Sequence, residues 1–264
     1  MFRKLLISLA LALPCVSQAT VVEFRTVMGD VQVNLFDETT PETVQNFLDY
    51  VNSGAYANNI IHRSEPGFVI QGGGFQYNDV LPLDAVPTGT PVVNEPALSN
   101  VAGTIAMAKL SGDPNSATSQ WFFNMANNSA NLDVQNSGFT VFGQVLGDGF
   151  EVLQAIEALP RFNLGGAAGS APLRDYTATD ASNSVEPNGD NFVIINDIVV
   201  IDDATVTNPD LVPVPNTLLN NNDSGGSSGD SDSSGSGGSS GGGSTSHWLL
   251  AMLVLPVLLR RRKQ

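Results

Sequence analysis

The chain has 264 residues, and its 11 Lys and Arg stand against 26 Asp and Glu. Six of the basic residues lie at the two ends, which leaves five against 26 acidic residues in between. Such an acidic surface should repel nucleic acid and anionic lipid, so nucleic acid is excluded as a partner and we interpret the charge as a solubilising coat. The length allows one medium-sized domain with appendages.

The first 19 residues have the pattern of a secretory signal peptide. A basic start precedes the apolar run Leu5–Leu13, and small residues lead up to Ala19. This pattern predicts cleavage after Ala19 and export of the remainder. The only cysteine, Cys15, lies inside this segment, so the exported protein would have no thiol. A lipoprotein anchor at Cys15 is the less favoured alternative, because Pro14 stands where a small residue is expected.

A hairpin and a helix begin the predicted domain, which we place at residues 20–212. Alternating apolar residues in Val21–Thr26 and Val31–Phe36 predict two antiparallel strands. Thr40 is the expected helix cap and Pro41 suits the first helical position. The helix then presents one apolar stripe, formed by Val44, Phe47, Leu48 and Val51.

The stretch Ile61–Phe75, IHRSEPGFVIQGGGF, combines residues that rarely share a strand. Arg63 stands near its start, although charged side chains are depleted from strands that line a core. Phe68 and Gln71 follow, and Gly72–Gly74 let the backbone bend or be approached closely. We therefore predict a concave surface onto which a guanidinium, an aromatic ring and a carboxamide project together.

The rest of the domain alternates strands with loops and adds a second helix. A helix is predicted after Gly149, with a stripe from Val152 to Leu159 and Pro160 as its stop. The loop Arg161–Asn191 has no sustained periodicity and no predicted function. Strand runs with only two helices favour a mainly β fold, a closed antiparallel barrel capped at both ends. The remaining strands are predicted at Thr104–Lys109, Gln120–Asn124, Thr140–Val145 and Phe192–Ile201.

The C-terminal part has the composition of a linker followed by a tail. Residues 213–246 are mostly Gly, Ser, Asn and Asp, which predicts a flexible linker. Residues 247–264 join a short apolar run to an Arg/Lys cluster, and the run is shorter than the about 20 residues that a spanning helix needs. The arrangement resembles the GlyGly-type sorting tails of Gram-negative bacteria, which implies cleavage by a rhomboid-type protease. A retained anchor in the inner membrane is the alternative.

The stretch Ile61–Phe75 also resembles the core signature of the cyclophilin-type peptidyl-prolyl cis–trans isomerases, which reads close to FHRVIPGFMIQGGG. The resemblance extends over about Thr20–Asp203, with the loop 161–191 matching poorly. It implies a closed eight-stranded barrel capped by two α-helices, and isomerase activity on proline-containing polypeptides. The positions that fall on the family's active site are Arg63, Phe68, Val69, Gln71, Ala108, Lys109, Gln120, Phe122 and Leu132, and Phe139 lies near a further one.

Those residues are able to hold a proline while its peptide bond turns. The barrier to rotation is about 18–20 kcal/mol, because the nitrogen lone pair is delocalised into the carbonyl. A guanidinium aimed at that nitrogen would stabilise the twisted state more than the planar one, and Arg63 is the candidate. The expected catalytic set is Arg63, Gln71 and Phe68. The expected substrate-binding residues are Val69, Ala108, Lys109, Gln120, Phe122, Leu132 and Phe139.

Three of these positions depart from the family pattern. Val69 stands where methionine is common, and Phe139 lies near the position of the family's histidine. Lys109 replaces an asparagine that contacts substrate mainly through its backbone, so we expect little effect there. Val69 should make the floor of the predicted proline pocket shorter, whereas the departure at Phe139 does not touch the arginine or that pocket.

No metal site, nucleophilic triad or cofactor site is predicted. The domain has a single histidine, His62, and no cysteine, whereas metal sites and triads need clustered ligands or a base beside a nucleophile. His62 precedes Arg63 and should point to the opposite face of the strand, so we interpret it as structural.

The leading hypothesis is a monomeric isomerase exported to the periplasm or cell surface of a Gram-negative bacterium. Its substrates would be Xaa-Pro bonds of unfolded or flexible chains. Alternatives are a module that binds proline-containing segments with little turnover, and an acidic surface scaffold. Taken singly, Arg63 could be half of an ion pair, and Phe68, Phe122 and Leu132 could be ordinary core residues.

Overall fold

The computed structural model describes residues 20–204, 207–208 and 210–219. Its helices are α1 (Pro41–Asn52), α2 (Ser129–Leu132), α3 (Gly149–Glu157) and α4 (Ala178–Ser182), with 3₁₀ turns at Gln135–Ser137 and Gly166–Ala168. Its strands are β1 (Val21–Thr26), β2 (Gly29–Leu35), β3 (Asn59–Ile60), β4 (Arg63–Glu65), β5 (Val69–Gly72), β6 (Phe75–Gln76), β7 (Asp84–Ala85), β8 (Thr104–Met107), β9 (Trp121–Asn124), β10 (Val141–Val145), β11 (Arg161–Phe162), β12 (Ala171–Pro172) and β13 (Ile194–Asp202).

A curled antiparallel sheet dominates the described part of the chain, so the fold is mainly β as predicted. Its hydrogen-bonded order is β4-β5-β9-β8-β10-β2-β1-β13-β3-β6-β7. Strands β3 and β4 are consecutive in the chain yet lie near opposite ends of this order, so the sheet curls back through Asn59–Glu65. The closed barrel of eight strands is not confirmed, because the described residues form eleven strands in this sheet, several of them only two residues long.

The predicted helices α1 and α3 are confirmed, although α1 is not capped as expected. Thr40 makes no side-chain cap hydrogen bond, and its hydroxyl donates instead to the carbonyl of Phe36. The carboxylate of Glu95 takes this role from a distant loop, accepting the backbone N–H of Thr43 at 2.8 Å and of Glu42 at 3.3 Å. A carboxylate is favourable there, because the N-terminus of a helix carries free N–H groups and partial positive charge.

The interior of the curled sheet holds the main core. Alternate residues of each strand point inward, so Ile70 of β5, Phe123 of β9 and Ile105 of β8 share one face and register. Trp121 is fully buried in this core and packs edge-on against Phe24, with ring centroids 5.1 Å apart. Its ring is therefore not part of the outer surface that carries the predicted site.

Residues 161–191, unassigned by sequence, fold onto the outside of the sheet. Strands β11 and β12 form a hairpin, and α4 starts with a capping box between Thr177 and Asp180. Leu173 and Tyr176 pack in a satellite cluster with Ile60 of β3 and Phe192. The segment therefore belongs to the domain rather than extending from it.

The chain beyond β13 also packs on the domain. Val214 accepts the backbone N–H of Ser99 at 2.8 Å, and Asn216 donates its own N–H to Ala97 at 2.9 Å. These contacts lie beyond residue 212, where sequence places the start of the linker. The signal peptide 1–19, most of that linker and the tail 247–264 lie outside the described residues. Within the described ranges, the helices are too short or too polar to cross a bilayer.

Candidate active site

The register of the sheet places three residues of the predicted surface in one row, which Ala106 continues. Arg63 of β4 pairs with Gln71 of β5, Gln71 with Phe122 of β9, and Phe122 with Ala106 of β8. Directly paired residues of antiparallel strands project to the same face. Arg63, Gln71 and Phe122 therefore share the outer face, opposite to the core residues of the same strands.

Polar contacts connect Arg63 and Gln71 of this row to Glu65 and Gln120, and we call these four residues the polar side of the site. Nη1 of Arg63 donates to Oε1 of Gln71 at 3.3 Å, and Nε2 of Gln71 donates to Oε1 of Gln120 at 2.9 Å. The second carboxamide thus fixes the first. Gly74 makes room for it, since a Cβ there would lie 2.8 Å from Cδ of Gln120.

The Arg63 guanidinium lies at the surface edge of this chain, with 22% of its side chain exposed. Its Nε is 3.3 Å from Oε1 of Glu65, so the arginine is half of an ion pair, as one alternative held. Burial lowers the pKa of Arg63, and the charge and hydrogen bond of Glu65 oppose that shift. Arginine keeps its charge under all ordinary conditions and has five N–H donors. Among the described residues nothing accepts a hydrogen bond from Nη2, which leaves that nitrogen available to a ligand.

The apolar side of the site is one continuous cluster on the same outer face. Five predicted substrate-binding residues belong to it: Val69, Ala108, Phe122, Leu132 and Phe139. The rings of Phe122 and Phe139 meet edge to face, with centroids 5.8 Å apart. Phe68 packs against the cluster and stays partly exposed.

This cluster is closed in the present conformation. Val69, Phe122 and Leu132 expose none of their surface, so Phe122 and Leu132 are packed here as ordinary core residues, which was the alternative considered for them. The open pocket expected from the sequence is therefore not present at these three side chains. A prolyl ring would reach Phe122 only after a neighbour moves, and Phe68 is the partly exposed aromatic at the edge.

A loop from α2 to β10 carries Leu132 and Phe139, and a buried carboxylate holds it. Asp133 accepts hydrogen bonds from Oγ of Ser99 at 2.6 Å and from the backbone N–H and Nδ2 of Asn100 at 2.7 and 3.0 Å. The backbone carbonyl of Asp133 accepts Nδ2 of Asn216, from the C-terminal segment, at 3.0 Å. The apolar side is thus fixed from behind by polar groups.

The side chain of Lys109 makes more contacts than expected, since the sequence predicted that this residue would act mainly through its backbone. Its side chain is buried, and Nζ donates to the carbonyls of Asn136 and Gly138 at 2.9 and 2.5 Å. Nζ also lies 4.8 Å from the centre of the Phe139 ring. Burial lowers the pKa of Lys109 to about 8, while the nearby Asp113 acts in the opposite direction. Lys109 therefore supports the loop of the apolar side from within.

His62 points into the protein, as predicted. Its ring is fully buried and packs edge-on against Phe75, with centroids 5.1 Å apart. Burial, assisted by the positive charge of Arg63, lowers the pKa of His62 to about 3, so the ring is neutral near pH 7. In the part of the chain that the structure describes, three or more His, Cys, Asp or Glu side chains do not converge on a common point where a metal could bind.

Two residues of this region were missed by sequence reasoning. Glu65 could have been found from the sequence, because it is a charged residue where the cyclophilin signature has isoleucine. It also lies two positions from Arg63, on the same face of the strand. Ser170 donates to Oε1 of Glu65 at 2.6 Å from 105 residues away. No pattern near Ser170 indicates that contact.

Comparison with known proteins places this site in a family. The model of the cyclophilin-type peptidyl-prolyl cis-trans isomerases matches residues 21–179, more than half of the chain. The chain belongs to this family. It is a cyclophilin-type peptidyl-prolyl cis-trans isomerase, and enzymes of this class act on proline-containing polypeptides.

Individual relatives agree with the assignment. Peptidyl-prolyl cis-trans isomerase B of Escherichia coli is 40% identical over 144 residues, which are 52% of this cyclophilin and 84% of the relative. A peptidyl-prolyl cis-trans isomerase of Acinetobacter baylyi is 39% identical over 149 residues, 55% of this chain and 76% of the relative. A Cryptosporidium parvum cyclophilin, crystallised in the presence of the dipeptide Ala-Pro, aligns with a TM-score of 0.50 and 26% identity over 69% of this chain and 99% of its own.

Proposed function

We propose that this cyclophilin accelerates rotation about Xaa-Pro bonds without a covalent intermediate, by directing the Arg63 guanidinium at the prolyl nitrogen of the twisted bond. The observation that carries the proposal is the shared outer face of Arg63, Gln71 and Phe122 in one sheet register. A cation next to an apolar surface is what a substrate with a pyrrolidine ring and a developing lone pair requires.

The proposed step needs a donor that interacts with the twisted state more strongly than with the planar one. In the planar amide the nitrogen lone pair is delocalised, so the nitrogen is a poor acceptor; rotation localises the pair and makes it a good one. Nη2 of Arg63 would supply the hydrogen bond at that point, and interactions made only in the transition state are those that raise kcat. Gln71 would bind the substrate backbone, and Gln120 would keep Gln71 oriented.

The apolar side would hold the ring while the preceding residue turns. Phe68 and Leu211 are the partly buried residues that pack against this cluster, and Phe122, Val69 and Leu132 are buried within it. We propose that Phe68 shifts when substrate binds, which uncovers Phe122. Ala108 belongs to the same cluster, and its backbone N–H already donates to the carbonyl of Gln120. It would therefore contact the peptide through its methyl group or its carbonyl.

A protease-coupled assay on a proline peptide tests the role of Arg63 in the full-length chain. The Arg63→Ala variant should lose about 100-fold or more in kcat/KM, the cost of removing one preorganised donor. Arg25→Ala is the matched control, because Arg25 is an exposed arginine on β1, which pairs with neither β4 nor β5, and its loss should leave the rate unchanged. An Arg63→Ala enzyme within twofold of the parent would exclude the mechanism.

We further propose that the enzyme acts on exported proteins, in the periplasm or at the cell surface of a Gram-negative bacterium, as a monomer. The support is the sequence pattern of residues 1–19 and of the Gly/Ser tract, apolar run and Arg/Lys cluster at the other end. Intact mass of the protein from its native cells tests both ends together. A measured mass that corresponds to a chain starting at Thr20 supports export. A mass that includes residues 1–19 would contradict it.

A further inference from the structure

The segment 161–191 reaches the strand that carries Arg63. Ser170 forms a parallel bridge with Arg63, and its carbonyl accepts the backbone N–H of Ser64 at 2.9 Å. Its hydroxyl donates to Oε1 of Glu65 at 2.6 Å. One residue of this distant segment is therefore fixed to β4 through its backbone and to Glu65 through its side chain.

Glu65 in turn contacts the guanidinium at a different nitrogen from the one that Gln71 contacts. Its Oε1, the same oxygen that accepts from Ser170, lies 3.3 Å from Nε of Arg63. Nη1 of the arginine is held by Gln71. The guanidinium is planar and rigid, so contacts at Nε and Nη1 define the plane and direction of the remaining nitrogen, Nη2.

We propose that Ser170 and Glu65 are positioning residues for Arg63: Ser170 fixes the Glu65 carboxylate, and Glu65 orients the guanidinium so that Nη2 faces the bound prolyl bond. This inference rests on the proposed function of Arg63. It also gives a reason for a carboxylate at a position where the cyclophilin signature has an apolar residue, and for the placement of the otherwise unassigned segment 161–191.

The physical basis is preorganisation of a flexible side chain. A free arginine samples many rotamers, and holding it in one orientation before substrate arrives avoids that cost in the transition state. Catalysis is sensitive to small displacements of a reacting group. Loss of the Ser170 hydroxyl should therefore lower kcat, while substrate binding through the apolar side changes little.

The test compares Ser170→Ala with Ser170→Thr and the control Ser182→Ala in the full-length chain. We expect Ser170→Ala to lower kcat by about threefold to tenfold with KM within twofold. Ser170→Thr, which keeps a hydroxyl, should recover most of the loss, and Ser182→Ala, an exposed change in α4, should have no effect. The Hε resonance of Arg63 in a ¹H–¹⁵N spectrum should shift in Ser170→Ala and in Glu65→Gln.

Measuring the Ser170 change in the Arg63→Ala variant separates this inference from the proposed function. In Arg63→Ala, the further change Ser170→Ala should not lower the rate again, because there is no guanidinium to position. If Arg63→Ala is slow and Ser170→Ala lowers kcat equally in both backgrounds, the positioning role is wrong and the role of Arg63 stands. If Arg63→Ala is as fast as the parent, both are wrong. An unchanged kcat and Hε resonance in Ser170→Ala would also overturn the inference.

Discussion

The polar side and the apolar side of the site each depend on one carboxylate, in opposite environments. Glu65, on the polar side, has a third of its side chain exposed and accepts from Ser170 while it pairs with Arg63. Asp133, behind the apolar side, is 1% exposed and accepts three hydrogen bonds from Ser99 and Asn100. Both are acceptors for groups that come from distant parts of the chain.

Because the two carboxylates differ in burial, we expect their loss to affect stability to different extents. An ion pair that stays in contact with water adds little to stability, typically about 0–1 kcal/mol, and the Glu65–Arg63 pair is partly exposed, at 33% and 22% of the two side chains. Removal of a buried acceptor, in contrast, leaves its donors without partners in a medium that cannot replace them. We infer that Asp133 maintains the structure of its loop, whereas Glu65 acts mainly on the orientation of Arg63.

The largest expected effect is on stability, and it separates the two carboxylates. Asp133→Ala should reduce the free energy of unfolding by about 3 kcal/mol or more, because it leaves three buried donors unsatisfied. Glu65→Ala should change it by less than about 1 kcal/mol. Urea denaturation of the two variants measures both values. Equal losses would remove the distinction between the sides.

A smaller effect is expected in the pH dependence of the apolar side. Lys109 has a pKa of about 8 in the folded protein against 10.5 ordinarily, because burial disfavours its charge. The folded state thus binds fewer protons than the unfolded state between these values, so stability should rise as pH increases from about 8 to 10.5.

Lys109→Met is the comparison that isolates this contribution. The methionine side chain does not titrate, so the stability of the parent relative to this variant should increase across that pH window. Chemical denaturation at several pH values measures it. A constant or falling difference would show that the carbonyls of Asn136 and Gly138 hold the ammonium firmly enough to cancel the effect of burial.

The smallest expected effect lies on the polar side. A Cβ at Gly74 would displace the end of the Gln120 side chain, which is flexible enough to move. Gly74→Ala should therefore lower kcat about threefold through loss of the Gln120–Gln71 contact, while stability changes by less than about 1 kcal/mol. Gly89→Ala is the control, because its Cβ would meet only the Tyr50 hydroxyl at 3.6 Å. Wild-type kcat in Gly74→Ala would show that Gln120 does not orient Gln71.

Much of the site was predictable because its residues are local to one motif. Arg63, Gln71 and Phe68 fall within ten residues, and period-two alternation separates Arg63 from the inward-facing His62 and Gln71 from the inward-facing Ile70. Phe122 followed from the family resemblance. The strand pattern likewise predicted the hairpin of β1 and β2 and the mainly β class. The helical spacing of apolar residues predicted the buried faces of α1 and α3.

What sequence did not reveal depends on contacts across the fold. The carboxylate of Glu95 caps α1 from 52 residues away, and Ser170 contacts Glu65 across 105. The buried side chain of Lys109 was not predicted, because a lysine is ordinarily exposed. Its carbonyl partners lie in a loop with left-handed backbone at Asn136, which the sequence pattern does not indicate. Such partners are set by tertiary packing and leave no periodic signal.

The central claim is that Arg63 acts on the twisted bond rather than on the bound substrate. NMR exchange spectroscopy on a proline peptide gives both the catalysed exchange rate at saturation and the Kd. We expect Arg63→Ala to lower the saturated rate about 100-fold while the Kd changes less than about threefold. A weaker Kd with an unchanged saturated rate would mean that Arg63 only binds substrate, and would contradict the account.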